Sequence, residues 1–112
     1  MKNRFGRICA AVVLSGGMFF AAMLPVAASA DSKGEALFKA NCAVCHPDGG
    51  NVVNPAKTLH KKDRDANNVK TAKDIIGRMR KPGPGMTQFD QKTISDKDAK
   101  EIAEYILKTF NK

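Results

Sequence analysis

The stretch Cys42-Ala43-Val44-Cys45-His46 is the feature that most limits what this chain can become. Two thiols three positions apart, with an imidazole directly after them, can coordinate a metal ion, exchange disulfides or hold a haem through thioether bonds. Each of these chemistries needs a different fold around the motif. The rest of the chain therefore has to decide between three classes of protein.

The N-terminal 30 residues have the pattern of a secretory signal peptide. Three basic residues precede a long apolar run, and the small residues of ASADS follow it. We therefore expect cleavage after Ala30, which assigns residues 1–30 to a signal peptide and residues 31–112 to one domain. Glycines and a proline make the run a poor membrane anchor, so the processed chain is not expected to span a membrane. Cys9 lies in this leader and would leave with it.

Residues 31–112 hold all 11 acidic residues of the chain and 16 of its 19 basic residues, which gives a net charge of +5. The basic residues are scattered among acidic ones, Tyr105 is the only tyrosine, and the chain has no tryptophan. A nucleic-acid binder would need a basic stripe or an aromatic stacking surface, so no nucleic-acid partner is expected. In an exported chain, paired thiols are also exposed to oxidation unless another group occupies them.

Three segments begin with a capping pattern and continue with apolar residues at helical spacing. The first starts at Ser32 and continues through GEALFKAN. The second starts at Thr71 and is stopped by the KPGPG of residues 81–85. The third starts at Ser95 and carries one apolar stripe. That stripe consists of Ala99, Ile102, Ile106 and Phe110.

The remaining segments complete an all-α prediction. A shorter helix is predicted over residues 61–67, and the stretch between His46 and Leu59 is a loop rich in Pro, Gly and Asn. No segment alternates with period two for long enough to form a strand. The apolar residues are few for three to four helices with long loops, so a large buried prosthetic group would complete the core.

Zinc binding and disulfide exchange both fit the motif poorly. A structural zinc site usually takes four ligands, and the adjacent Cys45 and His46 would be awkward corners of one tetrahedron. A CxxC disulfide exchanger is expected after a strand in a βαβ fold. Here the motif follows a helix in a chain without predicted strands.

A covalently bound haem uses every residue of the motif. In a helical turn Cys42 and Cys45 lie on one face, so that their sulfur atoms can reach both vinyl groups of one porphyrin. His46 then comes under the iron as the proximal axial ligand. The motif therefore favours one haem c, attached through Cys42 and Cys45.

The other face of the iron has three candidate ligands, or none. Met79 is in register with Ile75 on a predicted helix, where a methionine is usually a core residue. His60 lies beside two lysines, which favours a solvated side chain. Met86 follows KPGPG, a stiff loop in which a methionine has no packing role. We therefore predict Met86 as the distal axial ligand.

Four segments resemble those of a known family. GEALFKANCAVCH, NPAKTL, DAN and GMTQF, in this order and at these separations, resemble class I c-type cytochromes, most of all the cytochrome c6 group. The resemblance covers nearly all of residues 31–112. It implies the cytochrome c fold, with three to four helices and long loops wrapped around one covalently bound haem. It also implies an electron-transfer protein and not an enzyme.

The resemblance implies roles for residues outside the motif. Gly34 and Phe38 on the first helix, with Tyr105 on the last, match the close helix crossing of the family. Pro55 matches the loop proline whose carbonyl accepts the N–H of the proximal histidine. That bond would orient His46 and raise its basicity.

Ligation by both His46 and Met86 leaves no open site on the iron, which suits the transfer of single electrons. We expect a soluble, exported monomer, in the periplasm or a thylakoid lumen, that carries electrons between membrane redox complexes or other redox proteins. Basic residues around the haem edge would attract acidic partners. Two alternatives stay open. One is an open-site haem protein, gas-binding or peroxidase-like, and the other is a cytochrome subunit of a larger oxidoreductase.

Overall fold

The computed structural model describes residues 30–112, and the predicted signal peptide of residues 1–30 lies outside them except for its last residue. This part of the chain contains four α-helices and one 3₁₀ turn. In chain order they are α1 Ala30–Asn41, the 3₁₀ turn Pro47–Gly49, α2 Lys61–Ala66, α3 Ala72–Arg80 and α4 Asp96–Thr109. Residues 30–112 contain no β-strand, and the all-α prediction with three to four helices is confirmed.

The first helix begins earlier than its capping pattern predicts. α1 starts at Ala30, so Ser32 lies inside the helix, and the prediction that it is the N-cap is wrong. Alanine is the best helix former, so Ala30 favours a helix that includes Ser32 and does not begin there. At the other end, the Asn41 side-chain amide donates to the Leu37 carbonyl at 2.9 Å.

The predicted starts of α3 and α4 are confirmed. Thr71 caps α3 in a capping box, because its Oγ1 accepts from the Asp74 N–H at 3.2 Å and Asp74 Oδ2 accepts from the Thr71 N–H at 2.8 Å. Ser95 Oγ accepts from the Asp98 N–H at 3.1 Å at the start of α4. Each cap satisfies backbone N–H groups that have no partner within the first helical turn.

The short helix α2 confirms the prediction over residues 61–67 to within one residue. Its Arg64 is buried, and the guanidinium Nε donates to the Leu59 carbonyl at 2.8 Å. A weaker contact of 3.5 Å joins Arg64 Nη2 to the Phe110 carbonyl. Arg64 therefore ties α2 both to the loop before it and to the end of α4.

α1 and α4 cross at the predicted close contact. A Cβ atom on Gly34 would lie 2.5 Å from the Glu101 carbonyl oxygen and 2.9 Å from Tyr105 Cβ, so only glycine permits this approach. Beside the crossing, the centroid of the Phe38 ring lies 5.3 Å from that of Tyr105 and 5.5 Å from that of Phe110. The crossing of Gly34 and Phe38 with Tyr105 is confirmed.

The core is formed by α1, α3, α4 and the residues that flank them. α3 packs on α4 as α1 does. The buried hydrophobic residues are Phe38, Ile75, Met79, Ile94, Ala99, Ile102, Ala103, Ile106 and Phe110. The stripe predicted on α4 is confirmed. None of these residues comes from the stretch 42–74, so the loops there contribute little to the core and can carry a site.

Candidate functional site

A cavity of about 260 Å³ lies between α2, α3, α4 and two loop segments, residues 42–60 and 81–89, which we call the cavity loops. The cavity loops bring the predicted attachment and ligand residues into its wall: Cys42, Cys45, His46 and Met86. Most of the helical wall is apolar, with Ile75, Met79, Ile102 and Ile106 among its residues. The three residues of the motif and Met86, 40 positions further along the chain, thus border one cavity.

The two cysteines sit in a tight turn that continues from α1. The Cys42 N–H donates to the Phe38 carbonyl at 2.8 Å, and the N–H groups of Cys45 and His46 donate to the Cys42 carbonyl at 3.1 and 2.9 Å. Both thiols are free and partly buried. The backbone therefore keeps the helix-like spacing that lets both sulfur atoms face one planar ligand.

Burial raises the pKa of the first thiol. The pKa of the Cys42 thiol is raised to about 11, first because burial penalises the thiolate and second because Cys45 lies nearby. A disulfide exchanger needs the opposite, a thiol whose pKa is lowered so that it attacks as thiolate. The environment of Cys42 therefore agrees with the poor fit of a disulfide exchanger to the sequence.

His46 is held by a backbone carbonyl, but not by the predicted one. Its Nδ1 lies 2.7 Å from the Gly50 carbonyl oxygen, whereas the resemblance implied the Pro55 carbonyl. The 3₁₀ turn Pro47–Gly49 folds the chain back, which places the carbonyl four residues on beside the imidazole. A carbonyl only accepts, so Nδ1 must carry the proton, and Nε2 keeps a lone pair for a metal.

The loop after this turn is organised by Asn51, a residue whose role the sequence did not reveal. Its Oδ1 accepts from the N–H groups of Val53 and Asn54 at 3.0 and 2.9 Å, and its Nδ2 donates to the Lys57 carbonyl at 2.8 Å. Asparagine makes such side-chain turns readily. The signal available in the sequence was only an asparagine inside a Pro- and Gly-rich loop.

Met86 lies at the end of a turn that packs against this loop. The Met86 N–H approaches the Gly83 carbonyl oxygen at 3.4 Å. Gly85, directly before Met86, has a φ angle of +87°, a backbone conformation that residues with a side chain rarely adopt. A Cβ on Gly85 would lie 2.8 Å from Val53 Cγ1, so the two cavity loops touch there. Met86 is partly buried, whereas Met79 is buried in the core with 3% of its surface exposed.

His60 lies away from the cavity. Its ring packs edge-on against the Phe110 ring, with centroids 5.7 Å apart, and it is not among the residues that line the cavity. His60 is partly buried, so its side chain is less solvated than its neighbours in the sequence indicated. Phe110, near the end of the chain, contacts His60 through the tertiary fold. The lysines that follow His60 in the sequence gave no sign of this contact.

Exposed valines surround the cysteines and the first cavity loop. Val44, Val52 and Val53 expose 82%, 62% and 58% of their surfaces, and Val44 and Val53 also line the cavity. The Val52 N–H donates to the Cys45 carbonyl at 3.0 Å, which holds this part of the loop beside the cysteines. No pattern in the sequence distinguishes these valines from the rest of the loop. They give the mouth of the cavity an apolar rim.

The donor set fits a haem c. Two thiols in one turn, an imidazole with a free Nε2 and a thioether from the opposite loop are the groups that attach and ligate such a haem. The apolar helical wall suits the macrocycle. The helices, the loops and this donor set define the class of protein, a c-type cytochrome.

The chain also matches known proteins of this class. Residues 29–106 match the family described as cytochrome c oxidase, cbb3-type, subunit III. Cytochrome c6 of Cyanidium caldarium is 38% identical over 70% of this chain and 71% of the relative. Cytochrome c6 of Synechocystis sp. is 34% identical over 92% of this chain and 84% of the relative. The chain therefore belongs to the cytochrome c family, with cytochromes c6 among its relatives.

Solved structures agree with this assignment. The outer membrane cytochrome F of Geobacter sulfurreducens is 45% identical, with a TM-score of 0.67 over 69% of this chain and 98% of that one. Cytochrome c6C of Synechococcus sp. PCC 7002 is 26% identical, with a TM-score of 0.65 over 70% of this chain and 94% of that one. The fold is thus that of class I cytochromes c.

Membership of this family establishes the general activity. The chain carries one covalently bound haem c and transfers electrons, and it is not an enzyme. Within residues 30–112, no helix combines the length and the apolar character that crossing a membrane requires.

Proposed function

We propose that Cys42 and Cys45 hold the haem by thioether bonds, and that His46 and Met86 are its two axial ligands. When bound, haem c supplies an iron that gains or loses one electron with little rearrangement. The four side chains have distinct tasks. The cysteines would fix the ring in place, and His46 and Met86 would ligate the iron from its two faces, which would leave no coordination position open to a substrate.

One observation carries this proposal. The two thiols, the imidazole and the Met86 thioether line a single cavity, although they come from two loops about 40 positions apart in the chain. Met79 lines the same cavity, but it is a buried core residue of α3. Met86 is presented by a loop instead, which supports its assignment as the ligand.

The Gly50 carbonyl gives His46 its orientation. A histidine that donates from Nδ1 to a carbonyl is fixed in one tautomer, and the bond increases the basicity of Nε2. The bond of 2.7 Å is formed within the same turn that carries the cysteines. Attachment and proximal ligation are therefore organised by one short stretch, residues 42–50.

The apolar rim supports a role in brief docking. Val44, Val52 and Val53 would contact an apolar surface on a redox partner, while Lys57 in the cavity wall adds positive charge to the same region. Such a surface suits partners with an acidic border, because charge steers the encounter and a small apolar contact lets the complex dissociate. Membrane redox complexes or other redox proteins in the periplasm or a thylakoid lumen would be the donor and the acceptor.

The domain assignment belongs to the same proposal. Residues 1–30 would direct export and be removed, and residues 31–112 would form the working domain. The side-chain contacts described above all lie within residues 33–112. The N-terminal sequence of the protein purified from its host should therefore begin at Asp31.

Absorption spectra of the purified ferric and ferrous protein test the ligand set. We expect the spectrum of a low-spin haem c, with the near-infrared band of sulfur ligation in the ferric form, and no binding of carbon monoxide to the ferrous form. Haem should remain attached after extraction with acidic organic solvent. A ferrous protein that binds carbon monoxide readily would show an open site and favour a gas-binding or peroxidase-like protein.

A second function, as a subunit of a larger oxidoreductase, is favoured by the name of the matching family. Chromatography of the chain from its native host, with detection of the haem, distinguishes the two. A free carrier elutes at the size of a monomer, whereas a subunit elutes with other chains.

A further inference from the structure

The loop that presents Met86 is fastened at its C-terminal end to α3. The Phe89 N–H donates to the Met79 carbonyl at 2.9 Å, and Gln88 Nε2 donates to the Arg80 carbonyl at 2.9 Å. Carbonyl groups in the last turn of a helix have no partner within the helix. The returning loop supplies donors to two of them, so its position depends on the end of α3.

The Arg80 side chain joins the same loop to α4 through Phe89 and Asp96, and we call this set of contacts the clamp. Its Nη1 donates to the Phe89 carbonyl at 2.9 Å, and its Nη2 pairs with Asp96 Oδ1 at 2.8 Å. Only 20% of the Arg80 side chain is exposed, against 70% of the Asp96 side chain. Gln91 Nε2 donates to the other Asp96 oxygen at 3.0 Å, which keeps the carboxylate in place.

The helix dipoles of α3 and α4 favour the charges of Arg80 and Asp96, respectively. Arg80 is the last residue of α3, where a cation interacts favourably with the helix dipole, and Asp96 is the first residue of α4, where an anion does. A guanidinium offers donors in a fixed fork, so it can bond to a loop carbonyl and a carboxylate together. The N–H of Met86 itself makes only a long contact, 3.4 Å, with the Gly83 carbonyl.

We propose that Arg80 is a positioning residue that holds the Met86 loop closed over the iron. It acts through Phe89, three residues after Met86, and Asp96 anchors it to α4. The proposal rests on the proposed ligation by Met86. It predicts that weakening the clamp lets the Met86 sulfur leave the iron more often, while the helices remain folded.

The test uses the purified ferric holoprotein and added imidazole, which binds the iron only after the sulfur has left. The rate of imidazole binding is followed through the loss of the near-infrared band of sulfur ligation. Arg80→Gln should bind imidazole about tenfold faster, the factor expected when a hydrogen bond to a charged group is lost. Asp96→Asn leaves the bond to Phe89 and should give a smaller acceleration, about threefold. Arg80→Lys keeps the charge without the fork and should fall between the two.

Asp98→Asn is the matched control. Asp98 also lies in the first turn of α4 and is also ion-paired, but its partner is Lys33 on α1, at 2.7 Å. This variant should bind imidazole at the rate of the parent protein. Helix content from far-ultraviolet circular dichroism should be equal in all variants.

The outcomes separate the inference from the proposed function. If the parent lacks the sulfur band, or Met86→Ala keeps it, the ligand assignment fails and the clamp falls with it. If the band is present and depends on Met86, but Arg80→Gln and Asp96→Asn both bind imidazole as slowly as Asp98→Asn, only the clamp is wrong. Asp96→Asn decides the question if Arg80→Gln does not fold.

Discussion

The helical region, made of α1, α3, α4 and the flanking Ile94 and Phe110, differs from the cavity loops in what holds it together. Among the described residues, every buried hydrophobic side chain belongs to the helical region. The cavity loops are instead shaped by hydrogen bonds from Asn51 and by the turn at Gly85. Val44, in the same loops, faces solvent with 82% of its surface exposed.

This difference explains where the chemistry lies. Side chains in a close-packed core are fixed by their neighbours and cannot be exchanged without cost. Loops shaped by backbone bonds leave their side chains available, and the two thiols, the imidazole and Met86 all use that freedom. The helical region therefore supplies most of the apolar wall, and the cavity loops supply the groups that we propose attach and ligate the haem.

The largest expected effect is at the cysteines of the first cavity loop. Replacing both Cys42 and Cys45 with alanine should remove all covalent attachment, because no thioether can form. Extraction with acidic organic solvent should then release the haem completely, whereas the parent protein retains it. Cys9→Ala, which changes the third cysteine of the chain, should retain it as the parent does. Haem that stays on the double variant through the extraction would rule out the thioether attachment.

The two methionines that line the cavity compare the regions directly, since Met86 is on a loop and Met79 is in the core. Met86→Ala should open the iron, let the ferrous protein bind carbon monoxide and lower the reduction potential, because a thioether favours ferrous iron. Met79→Ala should leave the spectrum nearly unchanged and lower the free energy of unfolding by about 2–5 kcal/mol. Spectra with carbon monoxide and denaturant titrations measure the two effects.

The reverse pattern would exchange the two roles. If Met79→Ala is the variant that loses sulfur ligation, the helical region supplies a ligand and the division between the two regions fails. If the parent protein itself binds carbon monoxide, neither methionine ligates the iron.

Glycine substitutions test whether close packing determines the stability of the helical region. Gly34→Val should lower the free energy of unfolding by about 1–3 kcal/mol, because its side chain meets the Glu101 carbonyl and the helices must separate. Gly77→Val is the matched control on α3, where an added Cβ meets nothing within 4 Å. It should be neutral or stabilising by up to about 0.5 kcal/mol, since valine is the better helix former. Equal melting temperatures for the two variants would show that the crossing tolerates a side chain.

The helical region is also the part that could be predicted from the sequence. The caps at Thr71 and Ser95, the stripe of α4 and the close approach at Gly34 all follow from residue types at fixed spacing, which the chain displays directly. The start of α1 was predicted two residues too late. The helix continues on both sides of Ser32, so the capping pattern alone did not locate its beginning.

The loop contacts could not be predicted, because they depend on the path of the backbone in space. The sequence indicated His46 as a ligand, but its carbonyl partner is Gly50 and not Pro55. The pair Arg80–Asp96 joins residues 16 positions apart, and no local pattern announces it. Residue types were therefore enough to propose the attachment and ligand residues. The hydrogen bonds that position these residues could be identified only from the folded structure.

The smallest expected effect concerns charge at a helix start. Asp74 Oδ2 accepts from the N–H groups of Lys70 and Thr71 at 3.0 and 2.8 Å, and the bond from Thr71 is the main reason why the pKa of the Asp74 carboxyl is lowered. A carboxyl whose pKa is lower in the folded protein stabilises the fold above its ordinary pKa of about 3.9, and this contribution is lost as the pH falls through the lowered value. The variant Asp74→Asn keeps an accepting oxygen and removes mainly the charge. Its melting temperature should therefore lie slightly below that of the parent at pH 7, and the gap should close as the pH falls through the lowered pKa. Asp90, in the loop before α4, has a pKa lowered chiefly by the Thr93 N–H, so Asp90→Asn should show the same closing gap. If the gap at Asp74 stays constant from pH 7 down to acid unfolding, the capping charge does not stabilise the helical region.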